Sequence, residues 1–379
     1  MMDFDAIRPY RDHEVPAVIE GLLKNPTFLG ISQRFFPEPQ FSEIKGKMEQ
    51  ITTIKQFQQN IISLVAKLFL KQTTEGLSTS GVENLEMGKS YLFISNHRDI
   101  ILDPAILNLT LNDAGLETTE IAIGDNLLIE PWISDMARLN KSFLVNRNVP
   151  PRQMYESSQR LSAYIRHSIV ERKASVWIAQ REGRTKDGFD RTHPGLLKML
   201  VVSGADDLIE NLQALNIVPV SISYELDPCD MLKARELMMK IESGYVKTAE
   251  DDLNSMVTGI MGRKGKVHLA IGKPLNEEIQ TLQQFSNKND QLKELANMVD
   301  RQIMRSYKLW PSNFIAFDTI HQSKQYAHLY NADDKARFDE YLESRLAKAG
   351  EQAEKIKKLV LGMYANTVIN KTEMVDTVA

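Results

Sequence analysis

The sequence predicts an α/β fold in which a largely parallel central sheet is flanked by helices, with helical additions at both ends of the chain. Between residues 78 and 275, short apolar runs alternate with helical patterns, and polar turns follow several of the apolar runs. Such alternation indicates parallel strand pairing with helices on both faces of the sheet. We therefore expect a helical N-terminal region over residues 1–77, an α/β domain over 78–275, and a helical C-terminal region over 276–379 packed on the core.

The N-terminal region carries a stripe of apolar residues at helical spacing. Its members are Ile54, Phe57, Ile61, Leu64, Val65 and Leu68. The pattern favours a helix that packs on the main domain. Because Lys55, Lys67 and Lys71 lie close to the stripe, a helix that lies in a membrane interface is the alternative.

The central segment contains six predicted strands, which are short, apolar and rich in β-branched and aromatic residues. They span residues 91–95, 119–124, 143–146, 174–179, 217–224 and 266–271. Helical patterns occupy residues 103–112, 131–140, 151–172, 194–214 and 229–262, the last of them broken near Gly244. Pro219 lies inside the fifth strand, which predicts a strand start or a bulge at that point.

The C-terminal region shows two further apolar stripes at helical spacing. The first comprises Leu292, Leu295, Met298, Val299 and Ile303, and the second comprises Phe338, Tyr341, Leu342 and Leu346. Both stripes predict helices that turn an apolar face to the core.

Composition limits the class of function. The chain has 379 residues, a net charge of -4 and 42% hydrophobic residues, which describes an ordinary folded protein without the basic excess of a nucleic-acid-binding protein. Cys229 is its one cysteine, so an internal disulfide is impossible and a reducing compartment is expected. The N-terminus lacks the apolar segment of a secretory signal, and no run approaches the ~20 apolar residues of a membrane span. Any action on lipids is therefore expected from the membrane surface.

The most informative turn follows the first predicted strand of the domain. Five polar residues, Ser95 to Asp99, separate that strand from a helix predicted to start with Asp103 as N-cap and Pro104 in the first position. Ligands gather at the carboxyl ends of strands in open α/β sheets. A histidine beside a carboxylate can deprotonate a hydroxyl, because the carboxylate orients the ring and stabilises the imidazolium that forms. His97 is therefore a candidate base, with Asp99 and Asp103 nearby in the sequence.

Two later turns carry cations. Arg138, Lys141 and Arg147 surround the predicted strand at 143–146; they either converge on an anion or remain solvated surface charges. Arg181-Glu182-Gly183-Arg184-Thr185-Lys186 follows the strand at 174–179. Three cations beside a strand end favour a phosphate or carboxylate ligand.

Four blocks in this order and spacing resemble the glycerophosphate and lysophosphatidate acyltransferases, the PlsB/PlsC-like superfamily. The blocks read NHRDIILD, GDNLLIEPW with RLNKSFLVNR, REGRT, and IVPVSISYE. The segment GKVHLAIGKPL resembles the strand that closes the family's domain. The resemblance covers about residues 80–275, and the second block is closer to the glycerol-3-phosphate acyltransferases than to the short lysophosphatidate enzymes.

The resemblance implies an O-acyltransferase of phospholipid synthesis. It would move a fatty acyl group from acyl-CoA or acyl carrier protein to a hydroxyl of glycerol-3-phosphate or lysophosphatidate. His97 would be the general base, oriented by Asp103 or Asp99, and the hydroxyl would attack the thioester directly. No metal or redox cofactor and no nucleic acid is implied. The expected partners are the acyl thioester, the glycerophosphate acceptor and a membrane surface, with a cytoplasmic, peripheral location on the inner face of the cell membrane.

The resemblance also assigns residues to the acceptor and to the surroundings of the base. Those expected to hold the phosphate are Arg147, Arg181 and Arg184, with Lys141 and Arg138 as second choices. Those expected in supporting positions are Asn96, Arg98, Gly124, Asn126, Glu182 and Gly183.

The sequence departs from the family pattern in two blocks. The family separates its His and Asp by four residues, and Leu102 occupies that position here. A one-residue bulge would bring Asp103 to His97, whereas Asp99 would have to fold back, so we favour Asp103. The shifted aspartate also supports an alternative, a catalytically impaired, membrane-associated lipid-binding protein of the same fold. In the third block the usual Thr-Arg order is inverted, which leaves the phosphate contact open between Arg181 and Arg184.

Overall fold

A seven-stranded, mostly parallel sheet organises the protein. The structure is a computed structural model that describes residues 2–147, 149–347 and 349–375. The strands are β1 (Thr74–Ser80), β2 (Leu92–Ser95), β3 (Glu120–Gly124), β4 (Ser142–Val145), β5 (Val176–Ala179), β6 (Ile217–Tyr224) and β7 (Gly265–Ile271). Their order across the sheet is β1-β7-β6-β2-β5-β3-β4. β6 and β7 pair antiparallel, and the other neighbours pair in parallel. The predicted fold class is confirmed.

Each of the six predicted strands corresponds to an observed one, while β1 was not predicted. β1 begins at Thr74, inside the region expected to be helical, and its side chains are mostly exposed. Its sequence, TEGLSTS, contains a single large apolar residue, Leu77, and therefore lacks the alternation that marks a half-buried strand. Backbone pairing with β7 at the edge of the sheet makes it a strand.

Pro219 lies in the middle of β6 rather than at its start. It pairs in register with Ile94 of β2, and the antiparallel ladder to β7 begins one residue later, at Val220. The carbonyl of Pro219 accepts from the Gly272 N–H, just beyond the end of β7. The N–H that proline lacks would point to the same side as this carbonyl, where β7 has ended, so the sheet tolerates it without a bulge.

Helices cover both faces of the sheet and form both ends of the chain. They are α1 (Val15–Lys24), α2 (Pro26–Phe35), α3 (Gln40–Met48), α4 (Ile54–Phe57), α5 (Ser63–Thr73), α6 (Leu102–Asp113), α7 (Pro131–Leu139), α8 (Met154–Arg166), α9 (Pro194–Leu200), α10 (Leu208–Gln213), α11 (Asp230–Ser243), α12 (Ala249–Met261), α13 (Asn276–Gln280), α14 (Lys288–Ser306), α15 (Pro311–His321), α16 (Ala332–Leu346) and α17 (Ala353–Val375). The predicted break near Gly244 separates α11 from α12. The pattern at 194–214 is also two helices, α9 and α10, which the sequence did not predict.

The N-terminal apolar stripe faces the protein interior. A π-helical turn, Gln58–Ile62, joins α4 to α5. Phe57 and Ile61 are buried with Leu22 of α1 and Leu139 of α7 in one apolar cluster. The packing interpretation of this stripe is therefore confirmed over the membrane-interface alternative. Within the described residues, no helix is both long enough and apolar enough to cross a membrane.

The C-terminal helices pack on the sheet and on each other. Leu295 and Val299 of α14 share a cluster with Leu92 and Ile94 of β2. The stripe that begins at Phe338 lies on α16 and packs against α15 and α17. Both predicted C-terminal stripes are therefore core-facing helices.

The parallel strands bring the turns after β2, β5 and β6 and the carboxyl end of β4 to one edge of the sheet. β2 to β6 all run in the same direction, so their carboxyl ends lie together in the order β6, β2, β5, β3, β4. Neighbouring strands are ~4.8 Å apart. The turns after β5 and β6 therefore lie beside the turn after β2, while the end of β4 is about 14 Å away.

Candidate active site

The turn after β2 is anchored to the neighbouring strand by Asn96. The Asn96 side-chain amide donates to the carbonyl of Ile222 at 2.9 Å, and the Ile222 N–H donates to Asn96 Oδ1 at 2.8 Å. Because both bonds go to the backbone of β6, the chain enters the turn in a fixed orientation. Asn96 itself is buried and supports the turn.

His97 and Asp103 are in direct contact. His97 Nδ1 lies 2.8 Å from Asp103 Oδ2. The same oxygen accepts the N–H groups of Arg98 at 2.6 Å and Asp99 at 3.0 Å, and Asp103 Oδ1 accepts the Tyr224 hydroxyl at 2.8 Å. The buried Asp103 carboxylate therefore accepts hydrogen bonds at both of its oxygens, as a buried polar group requires.

Asp99 has a different task. Its Oδ1 accepts the N–H groups of Ile101 and Leu102 at 2.9 and 2.8 Å, so it caps the first turn of α6. The helix thus starts at Leu102, one residue before the predicted N-cap, and Asp103 lies in its first turn. Of the two carboxylates that the sequence left open, Asp103 is the one that contacts His97. Burial, followed by the nearby charge of Asp103, raises the pKa of Asp99.

The imidazole of His97 is held on several sides and reaches solvent on one. Its side chain is 12% exposed. The Trp177 ring of β5 meets it edge-on, with centroids 5.6 Å apart, and the Thr185 N–H donates to the His97 carbonyl at 2.9 Å. Among the described residues, no hydrogen bond to Nε2 is present. With Nδ1 directed at Asp103, Nε2 is the atom available to a substrate.

Arg98 points away from His97 into the protein. Its guanidinium is buried, pairs with Asp190 and lies over the Tyr307 ring, 5.7 Å from the centroid. Burial acts to lower the pKa of Arg98, and Asp190 outweighs it and raises the pKa. Lys233 donates to the Arg98 carbonyl at 2.9 Å. Arg98 thus links the turn to Asp190 and, through the Tyr307 ring, to the C-terminal region.

Arg184 is also buried. Burial acts to lower the pKa of its guanidinium, but Cys229, Asp99 and Asp227 outweigh it and raise the pKa. Its charge is therefore engaged by internal carboxylates, although its Nη1 atom has no hydrogen-bond partner among the described residues. Arg181, three residues earlier, is half-buried and makes no ion pair in the described part of the chain. Within this turn, the Arg184 side chain is therefore directed into the protein and the Arg181 side chain lies closer to the surface.

Arg147 reaches from the end of β4 towards the turn after β5. Its Nη1 atom lies 3.6 Å from Glu182 Oε1, and its side chain is 31% exposed. The guanidinium packs against Gly124, where an added Cβ would lie 2.4 Å from Arg147 Nε and 2.5 Å from Asn126 Oδ1. Gly124 therefore makes room for Arg147, and Asn126 is held by a 2.9 Å hydrogen bond to Asp252 of α12.

Gly183 serves the shape of the turn. Its φ is +71°, a backbone conformation that residues other than glycine rarely adopt. An added Cβ would meet no atom within 4 Å. The glycine is thus required by the backbone conformation between Glu182 and Arg184.

Arg138 and Lys141 lie away from this cluster. Arg138 donates to the carbonyls of Asp5 and Ala6, at 3.2 and 2.9 Å. Lys141 lies at the amino-terminal end of β4, whereas His97 follows the carboxyl-terminal end of β2. Lys141 donates to the Thr118 hydroxyl at 2.8 Å. Burial lowers the pKa of Lys141. Their nearness to Arg147 in the sequence did not predict these positions, because β4 carries the chain from one edge of the sheet to the other.

Several site residues were not predicted, chiefly Tyr224, Trp177, Thr185 and Asp190. A signal existed for Tyr224. Val218, Val220, Ile222 and Tyr224 alternate along β6 and share an apolar cluster with α6. The period of two in the fourth block thus predicts Tyr224 on the face that α6 covers, next to the start of that helix. Among the described residues, no group of three or more histidine, cysteine or acidic side chains could hold a metal ion.

Comparison with known proteins gives a family match over part of the chain. The acyltransferase family model matches residues 77–223, which contain His97, Asp103 and the first three blocks, whereas the fourth block continues to Glu225. A similar solved structure is the 1-acyl-sn-glycerophosphate (LPA) acyltransferase PlsC from Thermotoga maritima, which is 14% identical. The alignment covers 76% of this chain and 93% of that chain, with a TM-score of 0.36. Among curated proteins, no sequence matches the chain significantly.

Proposed function

We propose that this chain, a member of the acyltransferase superfamily through residues 77–223, transfers a fatty acyl group to a hydroxyl of glycerol-3-phosphate or lysophosphatidate. The donor is acyl-CoA or acyl carrier protein. The observation that carries the proposal is the hydrogen bond between His97 and Asp103 at the carboxyl edge of the sheet, within the matched residues. Its chemistry is that of a base for a hydroxyl.

In the proposed mechanism, His97 Nε2 removes the proton of the acceptor hydroxyl while Asp103 keeps Nδ1 protonated and oriented. The hydroxyl oxygen attacks the thioester carbonyl and forms the new C–O bond. The C–S bond then breaks, and the proton on His97 passes to the departing thiolate. Acyl ester and free thiol are the products, and the base returns to its neutral state.

Direct attack without an acyl-enzyme agrees with the state of the only cysteine. Cys229 is buried, and burial raises the pKa of its thiol to about 11. A thiol that stays protonated at neutral pH and lies out of solvent is a poor nucleophile. We therefore do not expect an acyl-enzyme at Cys229, and the proposed role of His97 is to deprotonate the acceptor hydroxyl.

Arg147 and Arg181 are the proposed contacts of the acceptor phosphate. Both are partly exposed on the edge that carries His97, and the Glu182 carboxylate beside Arg147 is itself largely exposed. Arginine binds phosphate through two parallel N–H groups. Arg184 is a weaker candidate because its side chain is buried.

The alternative, an impaired lipid-binding protein, depended on the unusual spacing between His97 and Asp103. The turn Arg98–Ile101 accommodates the extra residue, and the carboxylate meets the ring at hydrogen-bonding distance. The spacing therefore no longer favours the alternative, and activity measurements separate the two.

We also propose that the protein works as a peripheral protein on the inner face of the cell membrane. Five exposed large apolar residues lie within one stretch after β6: Ile241, Val246, Leu253, Val257 and Met261. The last three recur every four residues and so share one face of α12. Exposed apolar clusters mark interaction surfaces. Of the two proposed acceptors, lysophosphatidate is a lipid and glycerol-3-phosphate becomes one when it is acylated.

The test is release of free thiol from palmitoyl-CoA and from palmitoyl-acyl carrier protein by the purified protein, with and without glycerol-3-phosphate or lysophosphatidate. We expect release that depends on an acceptor and on His97. Absence of release with both donors and both acceptors would reject the proposed function and favour the lipid-binding alternative.

A further inference from the structure

Tyr224 touches the carboxylate that orients His97. It is the last residue of β6, and its hydroxyl donates to Asp103 Oδ1 at 2.8 Å. The other oxygen, Oδ2, accepts from His97 and from two backbone N–H groups of the turn. Tyr224 is thus the only side chain among the described residues that holds Oδ1.

The phenol of Tyr224 remains a donor at working pH. Its side chain is 6% exposed. Burial, with Asp103 and Asp99 nearby, holds the pKa of the phenol well above its ordinary value. The bond is therefore permanent in the neutral range, and a hydrogen bond to a buried carboxylate is stronger than one between neutral groups.

The position of Tyr224 is rigid. Its backbone pairs with Val267 of β7, and its ring belongs to the apolar cluster that packs α6 on the sheet. Asp103 lies in the first turn of α6. The Tyr224–Asp103 bond therefore joins a central strand to the helix that carries the carboxylate, independently of the turn itself.

We propose that Tyr224 is a positioning residue of the acyl transfer: it fixes the Asp103 carboxylate so that Oδ2 stays directed at His97 Nδ1. The inference rests on the proposed function. Without this bond the carboxylate is free to rotate about its Cβ–Cγ bond, and the imidazole loses its fixed orientation towards the acceptor. No part of this role requires Tyr224 to touch a substrate.

The experiment compares Tyr224→Phe with Tyr341→Phe. Tyr341 of α16 is a matched control, since its buried hydroxyl donates to a buried carboxylate, Asp230 of α11, at 2.7 Å. We expect Tyr224→Phe to lower kcat about tenfold or more with little change in either KM. Tyr341→Phe should leave kcat and both KM values unchanged.

Three outcomes would overturn the inference: an unchanged kcat, a lower kcat that a smaller folded fraction accounts for, or an equal effect in an Asp103→Asn background. A silent wild-type enzyme would defeat the proposed function, whereas an active wild type with an unchanged kcat in Tyr224→Phe would defeat the positioning role alone.

Discussion

His97 and Asp103 stand six positions apart in the chain, yet Nδ1 of the one lies 2.8 Å from Oδ2 of the other. The turn between them is held by Asp99, which caps α6, and by the N–H groups of Arg98 and Asp99, which donate back to Asp103. Five residues separate the histidine from the carboxylate in the chain, and these hydrogen bonds hold the turn so that the two side chains meet.

Replacement of His97 by alanine should lower kcat by about 10²–10⁴-fold, the contribution of a general base, without loss of thermal stability. His167→Ala is the control, because His167 Nδ1 lies 2.7 Å from Glu171 on the surface of the helix that follows α8. Thiol release at saturating acceptor is the measurement. Equal activity of the two variants would remove His97 from the mechanism.

Replacement of Arg147 by alanine should raise the acceptor's KM about tenfold, as the loss of a charge-assisted hydrogen bond does, while the donor's KM stays the same. Arg138→Ala provides the comparison: it removes a guanidinium from the other side of β4 in the sequence that binds the backbone of Asp5 and Ala6. A similar rise in both variants would mean that bulk charge, and not Arg147, attracts the phosphate.

Much of this architecture could be predicted from the sequence. The buried strands have apolar runs of strand length, and parallel strands place their polar turns at one edge. This was enough to place the turns that carry His97 and Arg181 at the same edge, whereas the role of Arg147 was left open between an anion contact and a solvated surface charge. β1 was not predicted, because an exposed edge strand lacks a periodic apolar pattern. Pro219 was predicted at a strand start or a bulge, because the sequence does not show where β7 ends and therefore whether the interior of β6 tolerates a proline.

The depth of each cation could not be predicted. Arg181 and Arg184 occupy the same polar turn, with the left-handed Gly183 between them, yet Arg184 is buried and Arg181 is only half-buried. Likewise, Arg138, Lys141 and Arg147 flank a strand of four residues, whose two ends lie at opposite edges of the sheet. The local sequence shows which residues are charged, whereas the direction of the chain determines which groups each charged side chain contacts.

The apolar face of α12 should contribute to membrane binding. The double replacement Leu253→Asp and Val257→Asp removes two exposed apolar side chains and should reduce the partition to phospholipid vesicles by about tenfold or more, since each buried side chain contributes about 1.5–3 kcal/mol. Leu329→Asp, at an exposed site beside the C-terminal helices, should have no effect. Co-sedimentation that is equal for the two proteins would reject this surface.

Gly259 of α12 should not tolerate alanine. An added Cβ would lie 2.1 Å from Asp99 Oδ2, so Asp99, which caps α6, or the helix itself must move. We expect Gly259→Ala to lower both the melting temperature and kcat. Gly362→Ala in α17, where no atom lies within 4 Å of the added Cβ, should be neutral or stabilising by about 1 kcal/mol or less. Similar melting temperatures for both variants would contradict the close contact.

Asp300 should make the stability of the fold depend on pH. Burial raises the pKa of this α14 carboxyl to about 6, above the ~3.9 of an unfolded chain. Between these values the unfolded state releases a proton that the folded state keeps, so the contribution of Asp300 to stability is fully present below pH ~4 and is lost as the pH rises through about 6. Asn keeps an oxygen for the Thr192 N–H and hydroxyl, which both donate to Asp300 Oδ1, but cannot ionise. We therefore expect Asp300→Asn to melt at a higher temperature than the wild type at pH 7, by an amount that corresponds to about 3 kcal/mol at most. The difference should shrink towards pH 4, and thermal melts between pH 4 and 7 measure it. A difference that stays constant over this range would show that Asp300 does not titrate there.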